Sequence, residues 1–244
     1  MTPGEATRAF DGTVLPAGAD KTRQVRDMFD AIAPRYDMVN RIMSLGLDLR
    51  WRRMAVRSLA LPPGAAVLDV ASGTGDFLRI LREAGLRPFG ADLSWGMLAA
   101  DAESSPRMQA DAAALPVGTS VVDGVTCGYA LRNFTDLPGA LAEVARVVRP
   151  GGRIALVEVA EPASPVLLAG YRLWFRHLVP LIGGLLSDRR AYRYLPRSTA
   201  YLPPEAELRA MLVEAGFDGV LVGGASLDAT SFAAIIAAAA ARSG

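Results

Sequence analysis

The chain has 244 residues, of which 51% are hydrophobic and 21% are charged, and its formal net charge is +1. This size and composition fit one globular domain, and the balanced charge gives no electrostatic footprint for nucleic acid. The single Cys and single His exclude an intramolecular disulfide and argue against a zinc site built from protein side chains alone. We therefore expect no metal.

The first sixty residues are predicted to form a tail followed by helices. Residues 1–20 are polar and lack the apolar core of a signal peptide, so we expect a disordered tail and a cytoplasmic location, with residues 21–244 as the domain. Apolar residues recur at helical spacing before Pro34, and two shorter helices follow up to about residue 60. This helical segment would cover the core or form a lid over a cofactor.

From residue 66 onward, strand and helix patterns alternate, which is typical of a parallel sheet with helices on both faces. We predict strands at 66–70, 87–91, 107–110, 121–127 and 153–159, and helices at 76–84, 94–103 and 136–148. Residues 163–200 interrupt this rhythm with an apolar, Arg-rich helical insertion. A helix at 204–215 and strands near 218–223 and 229–236 follow. This late strand pair resembles the methyltransferase sheet, whose last strand is antiparallel.

The most informative local pattern is the glycine turn at Gly73 and Gly75, between an apolar strand and a helix start. Glycines let a ligand approach the backbone closely, and a helix N-terminus offers free N–H groups. A dinucleotide site requires a third glycine, where this chain has Leu78, and Asp76 would repel a pyrophosphate. S-adenosylmethionine fits better, because its sulfonium and amino groups tolerate carboxylates. The spacing of Asp69, Gly73 and Gly75 resembles the first motif of Rossmann-like methyltransferases.

The ends of the following strands supply further candidate contacts, because ligands of such sheets bind at the carboxyl ends of the strands. Asp92 ends the second strand and is predicted to bind the ribose hydroxyls, although it could also serve as a helix N-terminal charge. Asp111 would bond the adenine amino group with the Ala112 backbone beside the ring, or would be a simple turn residue. Residues 128–133, beginning with Gly128, follow the fourth strand and complete the predicted cofactor site.

Several longer motifs resemble the ubiquinone/menaquinone biosynthesis C-methyltransferases, and among these most of all the demethylmenaquinone members. The similarity covers about residues 25–217 and rests on the runs Met28-Phe29-Asp30, Arg35-Tyr36-Asp37, Met43-Ser44-Leu45-Gly46, Trp51-Arg52, Leu131-Arg132-Asn133, Arg149-Pro150-Gly151-Gly152-Arg153 and Tyr192-Arg193-Tyr194-Leu195. The resemblance implies a Rossmann-like class I methyltransferase fold with a seven-stranded, mostly parallel sheet. It also implies cofactor contacts at Thr74, Asp92, Asp111 and Ala112.

The chain departs from the family pattern at three places, which bear more on the substrate than on the cofactor. Many members have Ser where this chain has Gly128, which removes one side-chain contact to the cofactor, and many have His where this chain has Asp48. The C-terminal strand usually carries a Gly-Gly-apolar run, whereas this chain reads Leu227-Asp228-Ala229-Thr230-Ser231.

The resemblance implies transfer of a methyl group from S-adenosylmethionine to a ring carbon of a prenylated hydroquinone. We expect Arg132 to stabilise the developing phenolate, Asn133 to position its loop, and Tyr36 with Asp37 to close over the methionine end of the cofactor. Arg132 itself is not a base, because a guanidinium stays protonated. His177 lies in the apolar insertion and is expected to be a packing or surface residue.

The insertion admits several roles: a channel for a polyprenyl tail, peripheral contact with the inner face of the plasma membrane, a homodimer contact, or ordinary core. Two other functions remain open from the sequence. One is a methyltransferase of the same fold that acts on a soluble natural product. The other is a cofactor-binding scaffold without catalysis.

Overall fold

A computed structural model describes residues 18–101, 105–159, 191, 194, 197–224 and 234–241, with only the backbone described from residue 219 onward. Its helices are α1 (Gly18–Ile32), α2 (Tyr36–Met43), α3 (Leu47–Leu59), α4 (Asp76–Glu83), α5 (Trp95–Ala100), α6 (Leu137–Val147) and α7 (Glu205–Glu214). Short 3₁₀ turns lie at Ala33–Arg35, Leu131–Asn133 and Thr199–Tyr201. Its strands are β1 (Ala66–Val70), β2 (Arg87–Asp92), β3 (Arg107–Gln109), β4 (Val122–Gly128), β5 (Val148–Val159), β6 (Phe217–Gly224) and β7 (Ala234–Ala241).

The strands form one seven-stranded sheet in the order β3-β2-β1-β4-β5-β7-β6. The first five strands are parallel, and β7 runs antiparallel to both of its neighbours, β5 and β6. The predicted sheet, mostly parallel with an antiparallel last strand, is therefore confirmed. The chain order reverses between β1 and β4, and a ligand crevice is expected at such a point.

Alternation along each strand explains why both faces of the sheet carry helices. Leu68 and Val70 of β1 point into a cluster with α6 and α7, whereas Val67 joins a second cluster with α3 and α4. All three side chains are at most 1% exposed. Because successive side chains of a strand point to opposite faces, a run of apolar residues needs cover on both sides.

Two strand boundaries differ from the sequence prediction. β5 starts at Val148, not at residue 153, because Val148 already pairs with Val122 and a register shift before Gly124 accommodates Pro150, Gly151 and Gly152 as a bulge. β7 lies at Ala234–Ala241 rather than at 229–236. Its run of alanines carries no strand pattern, and the position of β7 follows from its ladders with β5 and β6.

The N-terminal helical segment starts with α1 at Gly18, so residues 18–20 are helical and not part of a tail. Residues 1–17, and most of the predicted insertion at 163–200 including His177, lie outside the described residues. In the described part of the chain, no helix combines the length and the apolar character that crossing a membrane requires.

Candidate active site

A cavity of about 300 Å³ opens at the carboxyl ends of the parallel strands. Residues that follow β1, β2, β3 and β4 line its floor, and side chains of α1 together with Tyr36 cover it. Two hydrogen bonds hold α1 over the cavity. Lys21 Nζ donates to the Phe134 carbonyl at 2.7 Å, and the Thr22 and Thr135 hydroxyls lie 2.7 Å apart. The N-terminal helices thus act as the predicted lid.

The glycine turn and Asp92 form one hydrogen-bonded unit beside this cavity. Gly73 has a φ of +55°, a left-handed conformation that favours glycine, and its N–H donates to Asp92 Oδ2 at 2.7 Å. The Ser94 N–H donates to Asp92 Oδ1 at 2.8 Å. Burial raises the pKa of Asp92, and hydrogen bonds from the backbone of Ser94, Gly73 and Leu93 oppose that effect. The carboxylate still has acceptor capacity left for a ligand hydroxyl, as the ribose prediction requires.

The remaining predicted residues of the first motif lie away from the cavity. The Asp69 carboxyl is buried in the sheet, where Thr126 Oγ1 donates to it at 2.7 Å. Burial raises the pKa of Asp69 to about 7, although the hydrogen bond from Thr126 opposes this. Thr74 donates its hydroxyl to Asp37 and borders a separate cleft between α2 and α5. Gly75 lets the Asp101 carboxylate approach, since a Cβ there would lie 2.7 Å from Asp101 Oδ2.

Asp111 and Ala112 both border the cavity, in agreement with their predicted place beside an adenine ring. Asp111 is exposed and accepts the Ala113 N–H at 3.0 Å, so it also shapes its own turn. Gly128 borders the cavity at the end of β4. A Cβ at this position would lie 2.5 Å from Arg52 Nη1, so a larger residue here would require the guanidinium to move.

The three predicted catalytic residues occupy different environments. Tyr36 and Asn133 border the cavity, and burial raises the pKa of Tyr36. Arg132 does not border it: its guanidinium forms a buried ion pair with Glu158, and its Nε donates to Ser198 Oγ at 3.1 Å. The phenolate role expected for Arg132 gains no support from this geometry, because its guanidinium is paired with the Glu158 carboxylate on β5.

The loop that carries Asn133 is held by contacts that the sequence did not reveal. The Tyr194 hydroxyl donates to Asn133 Oδ1 at 3.2 Å, and Glu158 binds the Arg132 side chain next to it. Nothing in the local pattern pairs Arg132 with Glu158, which is 26 residues away. Only the parallel ladder of β4 and β5 brings the two elements together.

Asp76 begins α4 and has a role beyond repelling phosphate. It binds Arg41 at 2.5 Å and Arg79 at 3.3 Å, and Arg52 Nε lies 3.7 Å from its second oxygen. Burial alone would raise the pKa of Asp76, but Arg52 and the hydrogen bond from Arg41 hold it below its usual value. Asp48 is buried and pairs with Arg41.

These features fit a nucleoside without phosphates. The Asp92 carboxylate borders the cavity, is held by the Gly73 and Ser94 N–H groups, and is available to the vicinal hydroxyls of a ribose. Gly73 and Gly128 leave the backbone accessible to a ligand. The first turn of the helix whose N-terminus would bind a pyrophosphate carries the Asp76 carboxylate, which would repel it. The donor set thus matches S-adenosylmethionine and not a dinucleotide.

Comparison with known proteins agrees with this reading. Residues 17–233 match the model of the ubiE/COQ5 methyltransferase family. A ubiquinone/menaquinone biosynthesis C-methyltransferase UbiE from Syntrophotalea carbinolica is 41% identical over 204 residues, which cover 80% of this chain and 86% of the relative. A demethylmenaquinone methyltransferase from Thermus thermophilus is 42% identical over 200 residues, covering 78% of this chain and 91% of the relative.

Solved structures with lower identity share the fold. A putative methyltransferase from Haloferax volcanii, in complex with the Trm112 methyltransferase activator, has a TM-score of 0.61 at 21% identity and covers 89% of this chain and 97% of its own. The [4+2]-cyclase SpnF has a TM-score of 0.59 at 16% identity, covering 95% of this chain and 100% of its own. The fold alone therefore does not decide the reaction. The family match does, and this chain belongs to the ubiE/COQ5 methyltransferase family as an S-adenosylmethionine-dependent enzyme.

Proposed function

We propose that this chain methylates a ring carbon of a prenylated hydroquinone, with demethylmenaquinol as the acceptor and menaquinol as the product. Relatives about 40% identical carry names for this reaction. The observation that carries the proposal is the covered cavity, where Asp92 on one side and Tyr36 with Asn133 on another border the same space. A donor and an acceptor bound there would meet out of contact with water.

The donor half of the site uses the strand ends. Asp92 would accept the ribose hydroxyls, and Asp111 with the Ala112 backbone would bind the adenine. Gly73 and Gly128 border the cavity and leave the backbone open to a ligand. Thr74 and Asp37 hold the glycine turn against α2 through their mutual hydrogen bond. S-adenosylmethionine, bound in this way, supplies the methyl group, and the protein supplies its orientation.

The acceptor half must make an aromatic carbon nucleophilic. Loss of the adjacent phenol proton to solvent, at a pKa of about 10 by analogy with tyrosine, moves electron density onto that carbon. The carbon would then bond to the methyl group as the bond from methyl to sulfur breaks, and release of its ring proton to solvent would restore the aromatic ring. Tyr36 stays protonated because burial raises its pKa, so its hydroxyl is able to donate to the developing phenolate oxygen. Asn133 would orient the ring hydroxyls. We assign Arg132 and Glu158 to holding the Asn133 loop, since their charges neutralise each other.

A peripheral membrane contact suits an acceptor with a polyprenyl tail. Met38, Ile42 and Leu45 on α2 and the turn after it are 47%, 39% and 64% exposed. The two acids between residues 33 and 60, Asp37 and Asp48, point inward to Thr74 and Arg41. Exposed arginines continue this surface on α3, at Arg50, Arg53 and Arg57. An apolar row flanked by basic residues is suited to an anionic bilayer surface.

Transfer of labelled methyl from S-adenosylmethionine tests this function. Demethylmenaquinol in anionic vesicles should accept the label, whereas soluble phenols and a tail-free naphthohydroquinone should accept little. Faster transfer to soluble phenols would favour the natural-product alternative, and absence of transfer to any acceptor, cell lipid extract included, would favour a scaffold. A second arm compares anionic with neutral vesicles: a higher rate in anionic vesicles is expected, and equal rates would contradict the membrane contact.

A further inference from the structure

Arg52 is a buried cation whose surroundings do not complete its interactions. The residue is only 6% exposed. Its guanidinium lies between the rings of Phe77 and Tyr129, 4.9 Å from each ring centroid. Among the described residues, its Nε has no hydrogen-bond partner. A buried charged donor without a partner is costly, so a ligand that satisfies it would bind favourably.

Among the described residues, Arg52 has one carboxylate within ion-pair distance, and it is a shared one. Asp76 is shared by three guanidinium groups: Arg41 and Arg79 are the nearer two, and Arg52 is the most distant at 3.7 Å. Arg41 has a second carboxylate in Asp48, and Arg79 has one in Glu83. In the described part of the chain, no carboxylate lies nearer to Arg52 than this shared one, although Asp48 also interacts with it electrostatically. The Nε–H of Arg52 therefore remains available to a further acceptor.

Arg52 does not itself border the cavity but lies directly behind Gly128, which does. Its Nη1 is 2.5 Å from the place where a Cβ of residue 128 would stand, and Gly128 and Tyr129 both border the cavity. Tyr129 has a φ of +61°, which is strained for a bulky residue, and its buried hydroxyl lacks a partner among the described residues. Two unsatisfied donors, one of them charged, thus adjoin the end of the cavity formed by β4.

From this arrangement we infer that Arg52, with the Tyr129 hydroxyl beside it, binds the carboxylate of the amino-acid end of the methyl donor, and that Gly128 is small so that the guanidinium can reach it. The carboxylate would accept a charge-assisted hydrogen bond from the guanidinium. This inference rests on the proposed function, because it requires that the donor binds in this cavity.

Calorimetric titration with two nucleosides tests the inference. One is S-adenosylhomocysteine, and the other is its decarboxylated analogue, which differs only by the missing carboxylate. Arg52→Met should weaken binding of S-adenosylhomocysteine about 10- to 100-fold, the range for a hydrogen bond to a charged group, and leave the affinity for the analogue unchanged. Arg79→Met is the matched control, since Arg79 also binds Asp76 but lies half-exposed, and it should affect neither ligand.

Equal losses for both nucleosides in Arg52→Met, or no loss for either, would overturn the inference. A wild-type protein that binds neither nucleoside would instead overturn the proposed function itself. If Arg52→Met fails to fold, Tyr129→Phe gives a second test, because it removes only the hydroxyl of the ring that packs against the guanidinium. It should weaken S-adenosylhomocysteine selectively, and an unchanged preference between the two nucleosides would contradict the proposed carboxylate site.

Discussion

At the scale of single residues, Asp69 shows how a motif position and its physical role can separate. The sequence predicted a cofactor contact from its spacing to the glycines, whereas the structure buries it against Thr126. Asp92, in contrast, borders the cavity as predicted. A residue at the end of a strand is placed by the strand itself. A residue within a strand points to one face of the sheet or the other, according to the alternation of side chains along the strand. The spacing of Asp69 from the glycines did not reveal to which face Asp69 points.

The burial of Asp69 predicts a pH dependence of stability. Its pKa is about 7 in the folded state, against an ordinary value of 3.8. Between pH 3.8 and pH 7, Asp69 keeps its proton in the folded state but releases it in the unfolded state. The contribution of Asp69 to the free energy of unfolding therefore falls as pH rises, and it levels off above pH 7. Asp69→Asn cannot ionise. Its stability relative to wild type should rise by about 2–3 kcal/mol from pH 5 to pH 8.

Urea unfolding of both proteins at several pH values measures this difference. A constant offset between them is expected from the added amide group, and only its variation with pH reports the carboxyl. A difference that does not change between pH 5 and pH 8 would show that Asp69 titrates alike in the folded and unfolded states.

At the scale of elements, the sequence predicted the alternation of strands and helices because each apolar strand is bounded by glycine or proline signals. It missed features that depend on pairing between distant segments. The bulge in β5 and the position of β7 follow from ladders, and the partner of Arg132 lies on β5. Local patterns contain none of this information, since they do not specify which strand lies beside which.

The buried pair of Arg132 and Glu158 predicts a strong coupling between the β4 and β5 ends. Arg132→Met leaves the Glu158 carboxylate buried without its partner, so it should destabilise the protein by about 3–5 kcal/mol. The double variant Arg132→Met/Glu158→Gln removes both charges and should recover most of that loss. Replacing Arg209, which forms an exposed pair with Glu205, should cost less than about 1 kcal/mol.

Denaturant unfolding measures the stabilities, and turnover of the folded double variant measures the chemistry. An Arg132→Met protein as stable as wild type would contradict the buried pair. Full turnover by the double variant would contradict the assignment of the pair to holding the Asn133 loop, and it would also argue against the phenolate role first expected for Arg132.

At the scale of the whole molecule, two parts meet at one edge of the sheet. The strand ends carry polar groups for a nucleoside, and the N-terminal helices cover them through Lys21 and Thr22. The sequence predicted both parts separately, and its family motifs included Trp51-Arg52 and Tyr36. It did not reveal that Arg52 lies against Gly128, because that contact requires α3, α4 and the end of β4 to pack together.

The central claim is that the methyl donor binds at the carboxyl ends of the strands, with its ribose on Asp92. A crystal structure of the complex with S-adenosylhomocysteine tests this most directly. We expect the ribose hydroxyls within hydrogen-bond distance of the Asp92 carboxylate, the adenine beside Asp111 and Ala112, and the amino-acid carboxylate at Arg52. Nucleoside density outside this cavity, or a ribose turned away from Asp92, would contradict the account.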